Sequence, residues 1–438
     1  MKGLVITYVI TALATVGALR SPLIGLYVYV GFAVLRPQAL FGWAGDMSYL
    51  SLSVGIAMLI GWAAQGFGSW NFGRARPVVV ALLLYFGWLI LSAFFALNTE
   101  RAFAQVSYLA RVVLPVLVGA TMIREEKHWR RLLWTIVLCQ GYVGLEMHIE
   151  YLIKGRNAAH IGFARMDNNF FALSLVTTLG PAVALAIASR KWWERGLAAL
   201  ASALILHTTL LTFSRGGMVG LLAVGAVAIV MMPKRPKYIG AIVLTAMLAV
   251  WLTGPELAAR YRTTLSGRDQ RDTSAQSRLD LWRDCLRVIG EYPVLGVGPA
   301  NWRVIAFRYG WPPGKSAHSV WMEMAAEIGI PGALFMLMFF CLAAMKLWPI
   351  ARARGPDTSD PYAQAMAGGT VLAVVGFVVT GQFVSAPFLE GPYYVVMAGA
   401  GLLAGTAAAT TAAVVGKPAG PPSTHIAFTA RTARGTSR

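Results

Sequence analysis

Three residues in a largely apolar chain have side chains suited to chemistry on an anionic substrate. His318 stands directly before an apolar stretch that predicts a membrane helix, and a helix N-terminus disfavours the charged form of an imidazole. A neutral imidazole can accept a proton near pH 7. Arg215 stands between two apolar stretches and is followed by two glycines, whereas Arg278 lies in a long polar stretch. Guanidinium groups bind phosphates strongly, so these residues predict proton abstraction beside a bound phosphate.

The segment around Arg278 has the pattern of an amphipathic helix lying in the membrane interface. Ser277 followed by Asp280 is typical of a helix N-cap and would place Arg278 in the first turn. Backbone N–H groups at a helix start, together with an arginine, form a phosphate site. The apolar positions at helical spacing are Leu279, Trp282, Leu286 and Ile289, with Leu281, Cys285 and Val288 beside them.

Further polar residues near these three are candidates for substrate binding. Asp167 and Asn168 precede an apolar stretch, where capping of the next helix explains them equally well. Arg111 lies inside an apolar stretch and requires a partner or a water-filled cavity. Glu323 is a second candidate for base or orienting group, with an ion pair to arginine as the alternative. The candidate substrate-binding residues are Arg165, Asp167, Asn168, Arg283, Arg111, Trp282 and Glu323.

The elements that position these residues are membrane helices. The chain is 57% hydrophobic and 13% charged, with a mean hydropathy of +0.60, values typical of a polytopic membrane protein. Thirteen apolar stretches, two of them separated by only three residues, predict an all-α fold with about 12 transmembrane helices and a range of 11–13. The stretches are 3–19, 22–35, 48–65, 77–97, 101–123, 132–153, 168–188, 196–213, 216–232, 238–252, 320–348, 364–383 and 391–415.

The basic residues predict the orientation of these helices. If the spans alternate, the basic connections fall on one side, which the positive-inside tendency assigns to the cytoplasm. The long polar stretch 254–319 then forms a large outer loop between the helices of 1–253 and those of 320–415, and 416–438 is a disordered basic cytoplasmic tail. The net charge of +19 therefore indicates anionic lipids as partners and no nucleic acid. The basic connections are 74–77, 124–131, 189–195, 233–237 and 351–355.

Several chemistries have no motif in this sequence. It contains no phosphate loop of the G-x-x-x-x-G-K-[ST] type, no H-E-x-x-H, no Cys/His metal spacing and no G-x-S-x-G nucleophile elbow. Asp46, in an outer loop, is a lone carboxylate and a weak metal signal. The sequence therefore predicts no metal site and no cofactor.

Three segments together resemble the signature of the O-antigen ligase and polymerase superfamily. They are SRGG at 214–217, the run 277–302 and the run 317–332. In that superfamily R-x-x-x-W is followed by P-x-x-G-x-G, a histidine and E-x-G-x-x-G, and the resemblance covers roughly residues 165–335. Ser319 follows the histidine, where many members have Asn. The runs DNNFFAL and LRPQAL resemble the subgroup of O-glycosylation ligases.

The resemblance implies a membrane glycosyltransferase of the GT-C type in the bacterial inner membrane, with its site in the large periplasmic loop. Such an enzyme transfers a preassembled glycan from undecaprenyl pyrophosphate to a hydroxyl of lipid A–core. In this chain His318 would be the general base, and Arg215 and Arg278 would hold the pyrophosphate. The resemblance implies inversion at the anomeric carbon without metal or ATP, in a monomer or weak oligomer.

The sequence also allows other functions. A polymerase of the same superfamily would extend a lipid-linked glycan, and a protein O-glycosylation ligase would use a protein hydroxyl as acceptor. A transporter of the lipid-linked glycan would use arginines to escort the headgroup. Transporters typically show repeats related by inverted symmetry. No such symmetry is visible, and the polar residues concentrate in one loop, which favours an enzyme.

Overall fold

The computed structural model describes residues 2–42, 48–155, 157, 160, 162–232, 240, 273–353 and 360–415. Within these ranges the protein is built from helices, thirteen of which have 14 residues or more. They are α1 (Lys2–Arg20), α2 (Pro22–Leu35), α3 (Ser48–Ala64), α4 (Arg76–Phe94), α5 (Thr99–Met122), α6 (Glu126–Leu152), α7 (Asn168–Ala188), α8 (Trp192–Leu211), α9 (Arg215–Met231), α10 (Thr273–Glu291), α11 (Val320–Ala351), α12 (Pro361–Thr380) and α13 (Glu390–Val415).

The helices follow the apolar stretches of the sequence. Twelve of the thirteen predicted stretches overlap a helix of the described ranges, and the stretch 238–252 lies outside the described residues except for residue 240. Seven described helices are long and apolar enough to cross a membrane, namely α1, α4, α5, α6, α7, α11 and α12. The all-α polytopic membrane fold is therefore confirmed, whereas the total of about 12 spans stays a prediction.

Small residues allow the central helices to pack closely. Helix α12 packs along α7, where a Cβ on Gly180 would lie 2.5 Å from the carbonyl oxygen of Gly369. Beside this contact the rings of Phe340 and Phe377 lie 4.4 Å apart, and the ring of Tyr393 lies 5.2 Å from that of Phe340. These side chains join the middle of α11 to α12 and α13 in one core.

Basic connections gather at one end of the helix bundle. Arg130 at the start of α6 forms a 2.6 Å ion pair with Glu194 at the start of α8. Arg190 lies 4.0 Å from Glu126 and 3.8 Å from Asp360, which precedes α12. The segments 124–131 and 189–195 and the start of α12 therefore lie together, whereas the common side of all the basic connections stays a prediction. The basic segment 233–237, residues 354–355, Asp46 and the tail 416–438 lie outside the described residues.

The opposite end carries the described part of the predicted outer loop. This loop, predicted at 254–319, is described from residue 273, where it forms α10 and then an irregular segment that leads into α11. Helix α10 packs against α11. The candidate residues of the loop therefore rest on the start of a membrane helix, and the division of the chain into four parts stays a prediction.

Candidate active site

His318 occupies an unusual backbone position directly before α11. Its φ is 52°, a left-handed value that is uncommon for residues other than glycine. Ser319 is the N-cap of the helix, and its Oγ accepts a hydrogen bond from the backbone N–H of Met322 at 3.3 Å. Backbone conformations of this kind concentrate at functional sites. The half-buried His318 side chain is therefore held in place by the cap that follows it.

The surroundings of His318 favour its neutral form. Burial lowers the pKa of its imidazole below the usual 6.5, and the nearby cations of Arg278, Lys315 and Arg303 lower it further. The carboxylate of Asp167 opposes them with a smaller effect. A neutral imidazole at pH 7 can accept a proton. The direction agrees with the expectation from sequence, but the main cause is burial rather than the helix dipole.

Helix α10 begins earlier than the sequence suggested. It starts at Thr273, so the prediction of Ser277 as N-cap is wrong, and Arg278 lies in the second turn. Asp280 was expected to complete the capping pattern that Ser277 begins. It instead accepts a hydrogen bond from Nε2 of Gln276 at 3.3 Å. This spacing of four residues is typical of a helix interior. Arg278 therefore contributes its side chain rather than the free backbone N–H of a helix start.

Only part of the predicted apolar face of α10 is buried. Leu281, Cys285 and Val288 are fully buried, in a cluster with residues of the following loop and α11. Leu279 and Leu286, which were expected on the apolar face, are 45% and 56% exposed. The helix thus packs its inner face on the protein itself. Its orientation is set by this tertiary contact.

Trp282 fastens α10 to the residue before His318. Its indole Nε1 donates a hydrogen bond to the carbonyl oxygen of Ala317 at 3.1 Å. Arg278 lies four residues earlier on the same helix and therefore on the same face. This contact explains how Arg278 comes within electrostatic reach of His318. Trp282, a predicted substrate-binding residue, has at least this structural task.

The Glu323 side chain contacts the backbone directly before His318. Its buried carboxylate accepts hydrogen bonds from the backbone N–H of Ala317 at 3.0 Å and from the hydroxyl of Ser385. Its other oxygen lies 3.7 Å from Nε of Arg303. Protein groups therefore engage both oxygens of this predicted substrate-binding residue. The contacts hold the backbone next to His318 and keep Arg303 beside the imidazole.

Glu327 fastens the preceding loop to α11. Its buried carboxylate accepts hydrogen bonds from the backbone N–H groups of Ala300 at 2.9 Å and Trp302 at 3.2 Å. Two residues later α11 breaks at Gly329, where φ is 72°. A Cβ there would lie 2.0 Å from the carbonyl oxygen of Val294. We call these contacts the Glu327–Gly329 clasp. They explain why the E-x-G-x-x-G motif has Glu and Gly at these two positions.

Arg215 begins α9 at the same end of the bundle. The hydroxyl of Ser214, its N-cap, donates to Oδ1 of Asn169 at 2.7 Å. Nδ2 of Asn168 donates to the carbonyl oxygen of Thr212 at 3.0 Å. The starts of α7 and α9 are therefore tied together, and Asn168, a predicted substrate-binding residue, takes part in that tie.

A short segment after α12 contacts the starts of both α9 and α11. A Cβ on Gly216 would lie 2.6 Å from Cβ of Phe383, so only glycine allows α9 to start this close. A Cβ on Gly381 would lie 3.5 Å from Cγ2 of Val320, the first residue of α11. The helix starts that carry Arg215 and follow His318 are therefore joined through residues 381–383.

The loop before α7 brings one of its two predicted residues to the site. Asp167 caps α7, since its Oδ1 accepts from the backbone N–H of Phe170 at 2.8 Å, and it also lies within electrostatic reach of His318. Arg165 occupies the tight turn at residues 163–166 with a φ of 65° and an exposed side chain. Asp167 therefore both caps α7 and lies near His318.

Two predicted residues have surroundings away from His318. Arg283 is exposed and forms a 3.2 Å ion pair with Asp280, which fits a solvated helix face. Arg111, within α5, lines a separate cavity together with Arg36 and Glu390. Neither contact involves the groups around the imidazole.

Two cations near His318 were not among the predicted site residues. Arg303 directly follows the buried Trp302, and Lys315 stands three residues before His318. Their position in the predicted outer loop was the available signal, because arginines there do not serve topology. Their proximity depends on the fold of the loop.

The match to known families covers the elements just described. Residues 200–337 match the family model described as O-antigen ligase. This segment of the chain is therefore similar to O-antigen ligases. The matched range runs from α8 to α11 and includes Arg215, Arg278 and His318 together with the Glu327–Gly329 clasp. This similarity suggests glycan transfer at a membrane as the class of activity. No curated protein matches the chain.

Proposed function

We propose that this protein, which is similar to O-antigen ligases over residues 200–337, transfers a preassembled glycan from undecaprenyl pyrophosphate to a hydroxyl of lipid A–core. The observation that carries the proposal is the half-buried imidazole of His318, whose pKa is lowered by burial and by three surrounding cations. A neutral base beside cations suits a reaction that takes a proton from one substrate and releases an anionic pyrophosphate from the other.

In the proposed reaction His318 takes the proton of the acceptor hydroxyl. The oxygen forms a bond to the anomeric carbon of the glycan, and the bond from that carbon to the pyrophosphate oxygen breaks. Its electron pair leaves with the pyrophosphate, whose growing charge Arg278 and Arg215 stabilise. The carboxylate of Asp167 raises the pKa of the imidazole, so it stabilises the imidazolium that forms. A single displacement of this kind inverts the anomeric centre.

Arginines beside the leaving group supply a large share of the rate. Removing one preorganised donor from an oxyanion site typically costs roughly 2.7–4 kcal/mol. The donor is already activated as a pyrophosphate, so the proposed reaction needs no ATP. We place the site on the periplasmic side of the inner membrane, because the basic connections gather at the opposite end of the bundle and basic connections face the cytoplasm.

The acceptor is tested by the lipopolysaccharide of a deletion strain. We expect the O-antigen ladder to disappear on a gel while undecaprenyl-linked glycan accumulates. A band with a single repeat would instead identify a polymerase. An intact ladder with unglycosylated protein would identify a protein O-glycosylation ligase, the subgroup that the DNNFFAL run resembles.

Transfer by the purified protein separates an enzyme from a transporter. In detergent micelles no membrane separates two compartments, so a transporter would give no product. We expect the full-length protein to join the donor glycan to lipid A–core under these conditions. Absence of product from active, folded preparations would contradict the enzymatic proposal.

A further inference from the structure

A cavity of about 240 Å³ lies between α2, α5 and α13. Its polar lining includes Tyr29, Arg36, Tyr108, Arg111 and Glu390. None of these residues falls within the range 200–337 that matches the family model. The cavity is therefore built from helices outside the matched segment.

Hydrogen bonds hold one side of the cavity in place. Arg36 donates to Oε2 of Glu390 at 3.3 Å and to the carbonyl oxygen of Ala164 at 3.3 Å. The hydroxyl of Tyr108 donates to Oε1 of Glu390 at 2.8 Å. Both carboxylate oxygens of Glu390 are thus engaged. Ala164 belongs to the turn that leads to Asp167, so this wall adjoins the candidate active site.

Arg111 supplies the other side of the cavity. The hydroxyl of Tyr29 donates to the carbonyl oxygen of Arg111 at 3.0 Å, which fixes the α2–α5 contact beside it. The Arg111 residue is exposed, and within the described ranges no ion pair involves it. A charged residue in a membrane-spanning helix that faces a cavity is a functional candidate by default.

Charge and size define what the cavity can hold. Two arginines and one glutamate leave a net positive charge in its lining, so an anion is favoured. A volume of 240 Å³ is below the roughly 300–1,000 Å³ of pockets for drug-sized ligands. It suits a phosphate group rather than a glycan chain. Arg36 directly follows α2, and Glu390 begins α13, so the cavity lies where two apolar helices end, which is where a lipid headgroup would be expected.

We propose that this cavity binds the phosphate headgroup of a membrane lipid between Arg36 and Arg111. Resting on the proposed function, the natural ligand is the lipid-anchored acceptor, which must approach His318 from the membrane while the pyrophosphate occupies Arg215 and Arg278. The cavity then sets which lipid receives the glycan. Its place outside the matched range suits a task that differs between members.

Binding of phosphatidic acid, a lipid phosphate monoester, tests the site without any glycan. Full-length protein in an uncharged detergent is titrated with this lipid, and bound lipid is counted by native mass spectrometry. We expect Arg111→Gln to weaken binding by about tenfold, since it removes a charge-assisted hydrogen bond. Arg287→Gln, which removes an equal charge from an exposed ion pair with Asp284, should leave binding unchanged.

A variant with the opposite expected effect guards against misfolding. Glu390→Gln keeps an oxygen for Arg36 and Tyr108 but removes the negative charge, so we expect severalfold tighter binding of phosphatidic acid. Unchanged binding in both Arg111→Gln and Glu390→Gln would overturn the proposal. So would equal binding of phosphatidylcholine, or displacement of the lipid by inorganic phosphate at equal concentration, which would mean that free phosphate is the ligand.

Transfer kinetics test the identity of the natural lipid separately. We expect Arg111→Gln to raise the KM for lipid A–core about tenfold with little change in the KM for the donor. A raised KM for the donor alone would overturn the acceptor assignment. The phosphatidic acid experiment needs no transfer, so its failure leaves the glycosyltransferase proposal standing. Absence of transfer by the wild-type protein would leave the lipid site standing.

Discussion

His318 can act as a base only while its imidazole is neutral. Because burial and nearby cations lower its pKa below 6.5, the neutral form prevails at pH 7 and is lost as the pH falls through the lowered value. We expect the transfer rate to be constant above about pH 6.5 and to decline in acid, with one proton-dependent step. A rate profile of the purified protein measures this directly.

The His318→Ala variant tests the same residue by removal. General base catalysis typically contributes 10²–10⁴-fold, so we expect a loss of about this size with normal expression. Arg287→Gln, an exposed change on α10, serves as the matched control and should retain activity. A normal lipopolysaccharide ladder from the His318→Ala strain would show that the base is another group.

Side-chain cations are expected to supply the positive charge at the leaving group. Arg278, Arg303 and Lys315 all lie within electrostatic reach of His318. We therefore expect transfer by the purified protein to survive EDTA, and Arg278→Gln to lower the rate about 10²–10³-fold. Strict dependence on added Mg²⁺ would contradict this and direct attention to Asp46, which lies outside the described residues.

At the scale of the elements, the break in α11 determines how the loop is held. Gly329→Ala places a Cβ at a φ of 72° and 2.0 Å from the carbonyl oxygen of Val294. We expect a clear fall in the thermal unfolding midpoint, measured in detergent, and faster proteolysis of the loop. Gly290→Ala is the matched control, since its Cβ meets nothing within 4 Å. Alanine suits a helix better than glycine, so the control should be neutral or slightly stabilising.

Equal unfolding midpoints for the two alanine variants would mean that the clasp does not hold the loop. A fall in activity without a fall in stability for Gly329→Ala would be informative in another way. It would indicate that the clasp positions the residues around His318 rather than stabilising the fold.

The elements themselves were largely predictable, because apolar stretches are a local property of the chain. The start of α10 was not, since Ser277 and Asp280 form a capping pattern that also fits a helix interior. The apolar pattern also did not show which of its positions are buried. Leu281 and Leu279 are equally apolar, and only the partner surface decides which of them is covered.

The candidate site, like the helices, could be predicted only in part from the sequence. The residue types of His318, Arg215 and Arg278, with the turns around them, indicated anion chemistry from sequence alone. The positions of Arg303 and Lys315 beside the imidazole depend on how the loop folds onto Glu323. No spacing in the sequence carries that information.

At the scale of the whole molecule, the two ends of the bundle should face different compartments. We expect Arg308→Cys, in the loop before α11, to react in intact cells with a maleimide that crosses only the outer membrane. Arg190→Cys, at the basic end, should react only after the inner membrane is opened. Both parent arginines are exposed. The wild-type protein, with Cys139, Cys285 and Cys341, gives the background, and reversed labelling would contradict the topology.

The cations around His318 have a consequence for the timing of the reaction cycle. When the glycan leaves, the lipid pyrophosphate gains a negative charge, so Arg215 and Arg278 would hold the spent carrier more tightly than the loaded one. Departure of the carrier then becomes the slow step. A rapid-mixing experiment should show a burst of one product per enzyme followed by slower turnover, and added undecaprenyl pyrophosphate should compete with the donor.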